Sequence, residues 1–231
     1  MNPSELLIAA ASSNTGKTTF TMGLLRALRD RGLQVQPYKC GPDYIDTMYH
    51  KLASNHTSVN LDTFMASSEH VCHLFNSYGE SADVRVVEGV MGLFDGYEKW
   101  QGSSAEISVL LGVPVVLVVN AQSTAYSVAP LIYGFKHFNE NVKIGGVVFN
   151  KVSSENHFQF LKEACQDAGV ECLGYMKRNS LLEIPSRHLG LTISAKSHME
   201  ELISLAAKEV ETHVNIDLLL SLCSTQKDDA L

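Results

Sequence analysis

The segment LLIAAASSNTGKTT, residues 6–19, decides the fold of this chain because it joins a strand to a helix through a phosphate-binding loop. Residues 11–18 match the pattern G-x-x-x-x-G-K-[ST], except that Ala11 stands in place of the first glycine. The apolar run 6–11 predicts the strand, and residues 18–31 carry apolar side chains at helical spacing up to Gly32. Backbone N–H groups and the helix N-terminus of such a loop bind phosphate oxygens.

The side chains of this loop predict a site for a nucleotide with Mg²⁺. In such loops the lysine, here Lys17, reaches the β- and γ-phosphates, and the hydroxyl of the next residue, Thr18, coordinates Mg²⁺. The candidate nucleotide ligands are Asn14, Thr15, Gly16, Lys17, Thr18 and Thr19. An incidental lysine is the alternative, but it requires the Gly-Lys-Thr-Thr sequence, the strand, the helix and the Ser/Asn-rich loop to coincide.

The rest of the chain alternates strand-like and helix-like segments. The runs 84–88, 113–120 and 144–150 are apolar without polar alternation, which is typical of strands buried on both faces. Further strands are predicted at 33–39 and 170–175, and helices at 105–111, 127–138, 155–168 and 197–214. The pattern predicts an α/β fold of the P-loop NTPase type, with a doubly wound, mostly parallel sheet and ligands at the carboxyl ends of its strands. Residues 1–215 are expected to form the domain and residues 216–231 a C-terminal tail.

The composition excludes several classes of function. The chain has 231 residues, a net charge of -7 and no basic run, so no nucleic-acid-binding surface is expected. The N-terminus lacks a basic segment and the longest apolar runs are of strand length, which predicts a cytoplasmic protein without a membrane span. The five cysteines form no C-x-x-C pair, so neither a disulfide framework nor a zinc site is expected.

Charged side chains follow two of the predicted strands. Glu88 ends the run 84–87, so its carboxylate should emerge beside the phosphate loop, where Mg²⁺ needs one or two carboxylates. Lys39 ends the second predicted strand and supplies a further cation near the γ-phosphate. Asp43 and Asp95 belong to the glycine-containing segments that follow these strands. Ordinary turns with solvated charges are the alternative interpretation.

Residues 150–153 bear on the choice of nucleotide base. The sequence Asn150-Lys151-Val152-Ser153 is similar to the guanine-reading Asn-Lys-x-Asp element of GTPases, but serine replaces the aspartate that accepts from the guanine ring. ATP is therefore favoured over GTP. The amide of Asn150 can pair with adenine. The alternative is that Asn150 only forms a turn at the end of the strand.

Three stretches of the chain together resemble the cobyrinic acid a,c-diamide synthase family. They are GPDYID at 41–46, VEGVMGLFDG at 87–96 and RHLGL at 187–191, and the resemblance runs from residue 6 to about residue 214. It implies a dethiobiotin synthetase-like fold in which ATP phosphorylates a carboxylate and ammonia attacks the acyl phosphate. The implied substrate is a corrinoid, amidated at its c and a acetate side chains in turn.

The resemblance also implies roles for individual residues. Those implied to surround the metal and the substrate are Asp43, Asp46, Glu88 and Asp95. Those implied to hold Mg²⁺ are Thr18, Asp46 and Glu88, while Lys17 and Lys39 flank the transferred phosphoryl group. Pro185 and His188 belong to a loop that would close over the adenine. The other eight histidines, His50 among them, lack metal-ligand spacing and are predicted to be surface or capping groups.

The nitrogen source is implied to lie outside this chain. Members of the family usually continue into a glutamine-hydrolysing domain, which needs a cysteine nucleophile on a glycine-flanked turn. No cysteine of this sequence has that setting, so the expected source is free ammonia, or ammonia from a glutaminase domain or subunit. A homodimer is left open.

Other functions stay open at this point. They are amidation of another tetrapyrrole, a dethiobiotin synthetase-like ligase, and a non-catalytic nucleotide-binding switch ATPase. Partitioning ATPases carry an extra lysine near the start of the phosphate loop, and Ser12 and Ser13 occupy that region here. The absence of that lysine disfavours a partitioning ATPase. Independently, the acidic residues that follow the strands favour the ligase.

Overall fold

Seven strands form one parallel sheet in the part of the chain that the computed structural model describes, residues 3–184 and 193–224. The strands are β1 (Ser4–Ala10), β2 (Val35–Cys40), β3 (Val59–Leu61), β4 (Val84–Glu88), β5 (Val115–Asn120), β6 (Ile144–Val152) and β7 (Cys172–Lys177). Their order across the sheet is β3-β2-β4-β1-β5-β6-β7, and each neighbouring pair is parallel. The predicted parallel α/β sheet is confirmed.

Helices cover both faces of this sheet. They are α1 (Lys17–Asp30), α2 (Ile45–Ser54), α3 (Ser68–Tyr78), α4 (Ser104–Leu111), α5 (Val128–His137), α6 (Glu155–Asp167), α7 (Ile193–His213) and α8 (Ile216–Leu222). Leu6 and Ile8 of β1 pack in a core with α1, α2, α7 and α8. Leu7 and Ala9 point to the other face, in a core with α3, α4, α5 and α6. Because both faces of β1 are buried, its sequence is apolar without alternation.

The register of the three central strands determines where the polar side chains meet. Ile8 of β1 and Lys39 of β2 both pair with Glu88 of β4. The three strands run parallel and therefore end at one edge of the sheet. The loop that follows β1 consequently lies beside Glu88 and Lys39, as ligand sites in doubly wound sheets do.

Four elements are not predicted from the sequence: β3, α2, α3 and α8. Residues 45–54 form helix α2, whereas the sequence predicts only a charged end to the second strand, up to Asp46. Residues 216–222 form helix α8 rather than the start of a tail. The reason is the apolar sequence of α8, which buries Ile216 and Leu219 in the core shared with α1 and α7.

Candidate active site

A cleft of about 560 Å³ opens at the carboxyl ends of the strands, beside the phosphate loop. Most of the residues predicted from the sequence for the site line it: Asn14, Gly16, Lys17, Thr18, Thr19, Lys39, Asp43, Asp46, Glu88 and Asn150. The fold therefore brings together residues that are far apart in sequence, since Asn14 and Asn150 both line the cleft.

The phosphate loop is held in shape by β6. Gly16 has a φ of 95° and Asn14 a φ of 61°, both in the left-handed region. The side-chain amide of Asn150 donates to the carbonyl of Thr15 at 2.8 Å. A Cβ on Gly16 would lie 2.0 Å from Nδ2 of Asn150, so only glycine fits at position 16.

Lys17 begins helix α1 and points back across the loop. Its Nζ donates to the carbonyl of Met91 at 2.6 Å, in the loop after β4. Burial lowers the pKa of Lys17, although the nearby carboxylate of Glu88 partly offsets this effect. An ammonium that is poorly solvated and has a carbonyl as its partner would gain from the approach of a phosphate anion.

Glu88 has no exposed surface and accepts hydrogen bonds from three sides. Its Oε1 accepts from the hydroxyl of Thr18 at 2.6 Å and from Nζ of Lys39 at 3.3 Å. Its Oε2 lies 2.6 Å from Nε2 of His50. Burial alone would raise the pKa of Glu88, but Lys39, His50 and Thr18 together hold it well below its usual value. The carboxyl group of Glu88 is therefore ionised.

Lys39 is a buried cation between two carboxylates. Its Nζ lies 2.9 Å from Oδ2 of Asp46 and 3.3 Å from Oε1 of Glu88, and it also donates to the carbonyl of Gly89 at 2.9 Å. Burial acts to lower the pKa of Lys39, but the two carboxylates outweigh it and raise the pKa. Burial and the neighbouring Glu88 raise the pKa of Asp46.

Helix α2 carries two polar side chains that contact Lys39 and Glu88. The carboxylate of Asp43 accepts from the backbone N–H groups of Ile45 and Asp46, at 2.8 and 3.0 Å, and so closes the first turn of the helix. Asp46 lies in that first turn, and His50 follows four residues later on the same face. Asp43 therefore orients the helix that carries Asp46.

The prediction that His50 is a surface or capping group is wrong. Its side chain has no exposed surface and contacts Glu88 in the core of the site. The sequence signal that identifies it is the i, i+4 spacing from Asp46, which places both side chains on one face once residues 45–54 are taken as a helix.

Other predicted residues have different outcomes. Asp95 is exposed and does not line the cleft, and its carboxylate accepts from the N–H of Gly92 at 2.9 Å. Thr15 is buried, and its hydroxyl donates to the carbonyl of Ser12 at 3.2 Å. Pro185 and His188 lie outside the described residues. Three basic residues that the sequence analysis did not select also line the cleft, at the ends of β6 and β7: Lys151, Lys177 and Arg178.

Mg²⁺ fits this site as a companion of the nucleotide. Within residues 3–184 and 193–224, no group of three or more His, Cys, Asp or Glu side chains could hold a metal ion. Mg²⁺, however, is commonly bound through one or two carboxylates, with phosphate oxygens and water completing its shell. Thr18, Asp46 and Glu88 can supply such a partial set, so the donors present suit a metal that arrives with ATP.

Comparison with known proteins gives the following likenesses. The family model described as "CobQ/CobB/MinD/ParA nucleotide binding domain" (CbiA) matches residues 6–191. The cobyrinate a,c-diamide synthase of Listeria innocua is 42% identical over 229 residues, which cover 97% of this chain and 51% of the relative. The hydrogenobyrinate a,c-diamide synthase of Streptomyces coelicolor is 46% identical over 216 residues, which cover 93% and 44%. The chain thus spans about half the length of the curated relatives it matches.

Among solved structures, the chloroplast FtsY of Physcomitrella patens matches with a TM-score of 0.56. It is 14% identical, and the match covers 88% of this chain and 66% of that protein, so the likeness concerns the fold alone. In the described part of the chain, no helix is both long enough and apolar enough to cross a membrane.

Proposed function

The chain belongs to the CobQ/CobB/MinD/ParA nucleotide-binding family, and we propose that it carries out the ATP-dependent step of a cobyrinate a,c-diamide synthase. In this reaction the a and c acetate carboxylates of a corrinoid become amides. The observation that carries the proposal is the buried set of Glu88, Lys39 and Asp46 beside the phosphate loop, with the hydroxyl of Thr18 bonded to Glu88. The names of the relatives that match almost all of this chain support the same reaction.

The first step activates a carboxylate. A carboxylate oxygen of the corrinoid attacks the γ-phosphorus of ATP, the bond from that phosphorus to the β,γ-bridging oxygen breaks, and ADP leaves. Lys17 binds the phosphates and stabilises the charge that develops on them. Bound Mg²⁺ would supply further charge neutralisation at the phosphates. Asp46 and Glu88 balance the charge of Lys39 and would balance that of the metal.

The second step forms the amide. Ammonia attacks the carbonyl carbon of the acyl phosphate, a C–N bond forms, the C–O bond to phosphate breaks, and phosphate leaves. The nitrogen loses one proton, which the released phosphate accepts. The protein's contribution to both steps is to position the reactants and to exclude alternative nucleophiles. The proposal includes two further parts. The ammonia comes from a glutaminase domain or subunit, and the protein is located in the cytoplasm.

A direct assay tests this function. The chain is incubated with ATP, Mg²⁺ and ammonium chloride, together with either cobyrinate or hydrogenobyrinate, and the products are analysed by mass spectrometry. We expect conversion of one and then two carboxyl groups to amides, with one ADP formed for each amide. ADP production without amide from either corrinoid would instead support a nucleotide-binding switch ATPase.

We expect Lys17→Ala to weaken ATP binding by about 1.5–3 kcal/mol, because it removes a charge-assisted contact to the phosphates. Titration calorimetry with a non-hydrolysable ATP analogue measures the change. Lys162→Ala, at an exposed position on α6, is the matched control and should bind as the unaltered chain does. An unchanged affinity in Lys17→Ala would mean that the loop of residues 11–18 does not bind the phosphates.

A further inference from the structure

His50 has two polar contacts that the reaction described above does not use. Its Nε2 lies 2.6 Å from Oε2 of Glu88, and its Nδ1 lies 3.0 Å from the hydroxyl oxygen of Ser58. The imidazole has no exposed surface, and neither does the carboxylate of Glu88. A histidine that is fully enclosed and paired with a carboxylate beside the phosphate loop calls for a specific role.

The contact with Glu88 determines which atom of His50 acts as the donor. An ionised carboxylate only accepts hydrogen bonds, so Nε2 of His50 carries the hydrogen that is donated to Glu88. The hydroxyl of Ser58 can then donate to Nδ1. The hydrogen on Nε2 is the one that the contact with Glu88 requires, and the role of His50 rests on this donor.

The contacts of Glu88 divide between its two oxygens. Oε1 accepts from Thr18 and Lys39, on the side of the phosphate loop, whereas the contact of Oε2 is with His50. Donors on both sides prevent rotation of the carboxylate group about its last bond. Without the donor of His50, Oε2 would be a buried acceptor that has lost its partner, and the carboxylate would turn to recover one.

We propose that His50 is a positioning residue that holds the carboxylate of Glu88 in the orientation in which Oε1 faces Thr18 and the Mg²⁺ of the bound nucleotide. This inference rests on the proposed function, since it concerns the same nucleotide site. Groups that orient a metal-binding side chain typically change metal affinity by 10–100-fold when they are removed. The effect should therefore appear in the Mg²⁺ dependence of nucleotide binding.

Two variants of His50 separate its two contacts. In His50→Gln the side-chain amide nitrogen occupies the place of Nε2 and can still donate to Glu88. In His50→Asn the amide reaches only as far as Nδ1, so it keeps a partner for Ser58 but loses the contact with Glu88. The measured quantity is the ratio of the affinities for a non-hydrolysable ATP analogue with Mg²⁺ and with EDTA.

We expect His50→Gln to keep this ratio within about 3-fold of that of the unaltered chain, and His50→Asn to reduce it by about 10-fold or more. Affinity without Mg²⁺ should be similar in all three proteins. If His50→Asn does not fold, as judged by circular dichroism, His50→Leu replaces it as the variant without a donor.

Two results would overturn the positioning role: an undiminished ratio in the variant without a donor, or an equal loss in His50→Gln. Because the readout is binding, it does not depend on amide formation. Failure of the unaltered chain to bind the ATP analogue at all would instead refute the proposed function. The two hypotheses therefore fail in different ways.

Discussion

Glu88→Gln is expected to lower kcat for amide formation by roughly 100-fold or more, because catalysis here depends on charges placed in advance of the reaction. The amide has the size of the carboxylate but lacks its charge, which balances Lys39 and would balance Mg²⁺. The carboxylate of Glu88 accepts hydrogen bonds from Thr18, Lys39 and His50. The NH₂ group of glutamine must therefore face one of these donors, and the site loses its geometry as well as its charge.

The measurement is steady-state kinetics with the corrinoid that the direct assay identifies. Titration with an ATP analogue and circular dichroism show whether the variant still binds nucleotide and folds. Asp46→Asn should also lose most of its kcat, and the double variant should lose less than the sum of the two free-energy losses, since residues that act as a unit are not additive. Amide formation by Glu88→Gln at close to the original rate would place Glu88 outside the catalytic site.

Lys39→Met is expected to lower the free energy of unfolding by about 3–5 kcal/mol, because it leaves two buried carboxylates without their cation. Lys39 is 3% exposed, and Asp46 and Glu88 lie against it. Urea denaturation at neutral pH measures the change, and Lys162→Met on the exposed surface of α6 is the control.

The pH dependence of this loss has a defined sign. Burial already raises the pKa of Asp46 in the folded state, and the loss of Lys39 removes the cation that opposes this rise. Carboxyl groups with raised folded pKa values destabilise the folded protein more as the pH rises through that range. The deficit of Lys39→Met should therefore be smaller at mildly acidic pH than at neutral pH. A deficit of the same size at both would indicate that the variant is destabilised by packing alone.

Much of the site could be predicted from the sequence because it depends on strand ends. Once residues 6–11 and 84–88 are taken as parallel strands, Thr18 and Glu88 are expected at one edge of the sheet. The hydrogen bond of 2.6 Å between them agrees with that expectation. Lys39 follows from the same argument, since it pairs with Glu88 across β2 and β4.

His50 cannot be found in this way because its position depends on helix α2. The sequence GPDYID predicts a charged strand end, and its pattern does not predict the ten-residue helix that begins within it. Burial of a single histidine has no signature in sequence unless its helix and the neighbouring face are known.

Asp95 illustrates a different limit. Its distance in sequence from Glu88 is short, but the chain between them turns, and its carboxylate accepts from the N–H of Gly92 instead of facing the cleft. Glycine-rich segments allow many backbone paths, so the residue types alone do not tell on which side of the loop a carboxylate emerges.

The contact between the phosphate loop and β6 has a consequence for how this sequence can evolve. A side chain at position 16 has two obstacles. Its Cβ would lie 2.0 Å from the amide nitrogen of Asn150. The backbone of any residue other than glycine would also be strained at a φ of 95°. A smaller residue at position 150 removes the first obstacle and leaves the second. Mutational paths that begin at Gly16 are therefore closed, whereas paths that begin at Asn150 lose two hydrogen bonds of its side chain, with the carbonyl of Thr15 and the N–H of Lys151. In any lineage that keeps this loop conformation, variation at position 150 should precede, and far outnumber, variation at position 16.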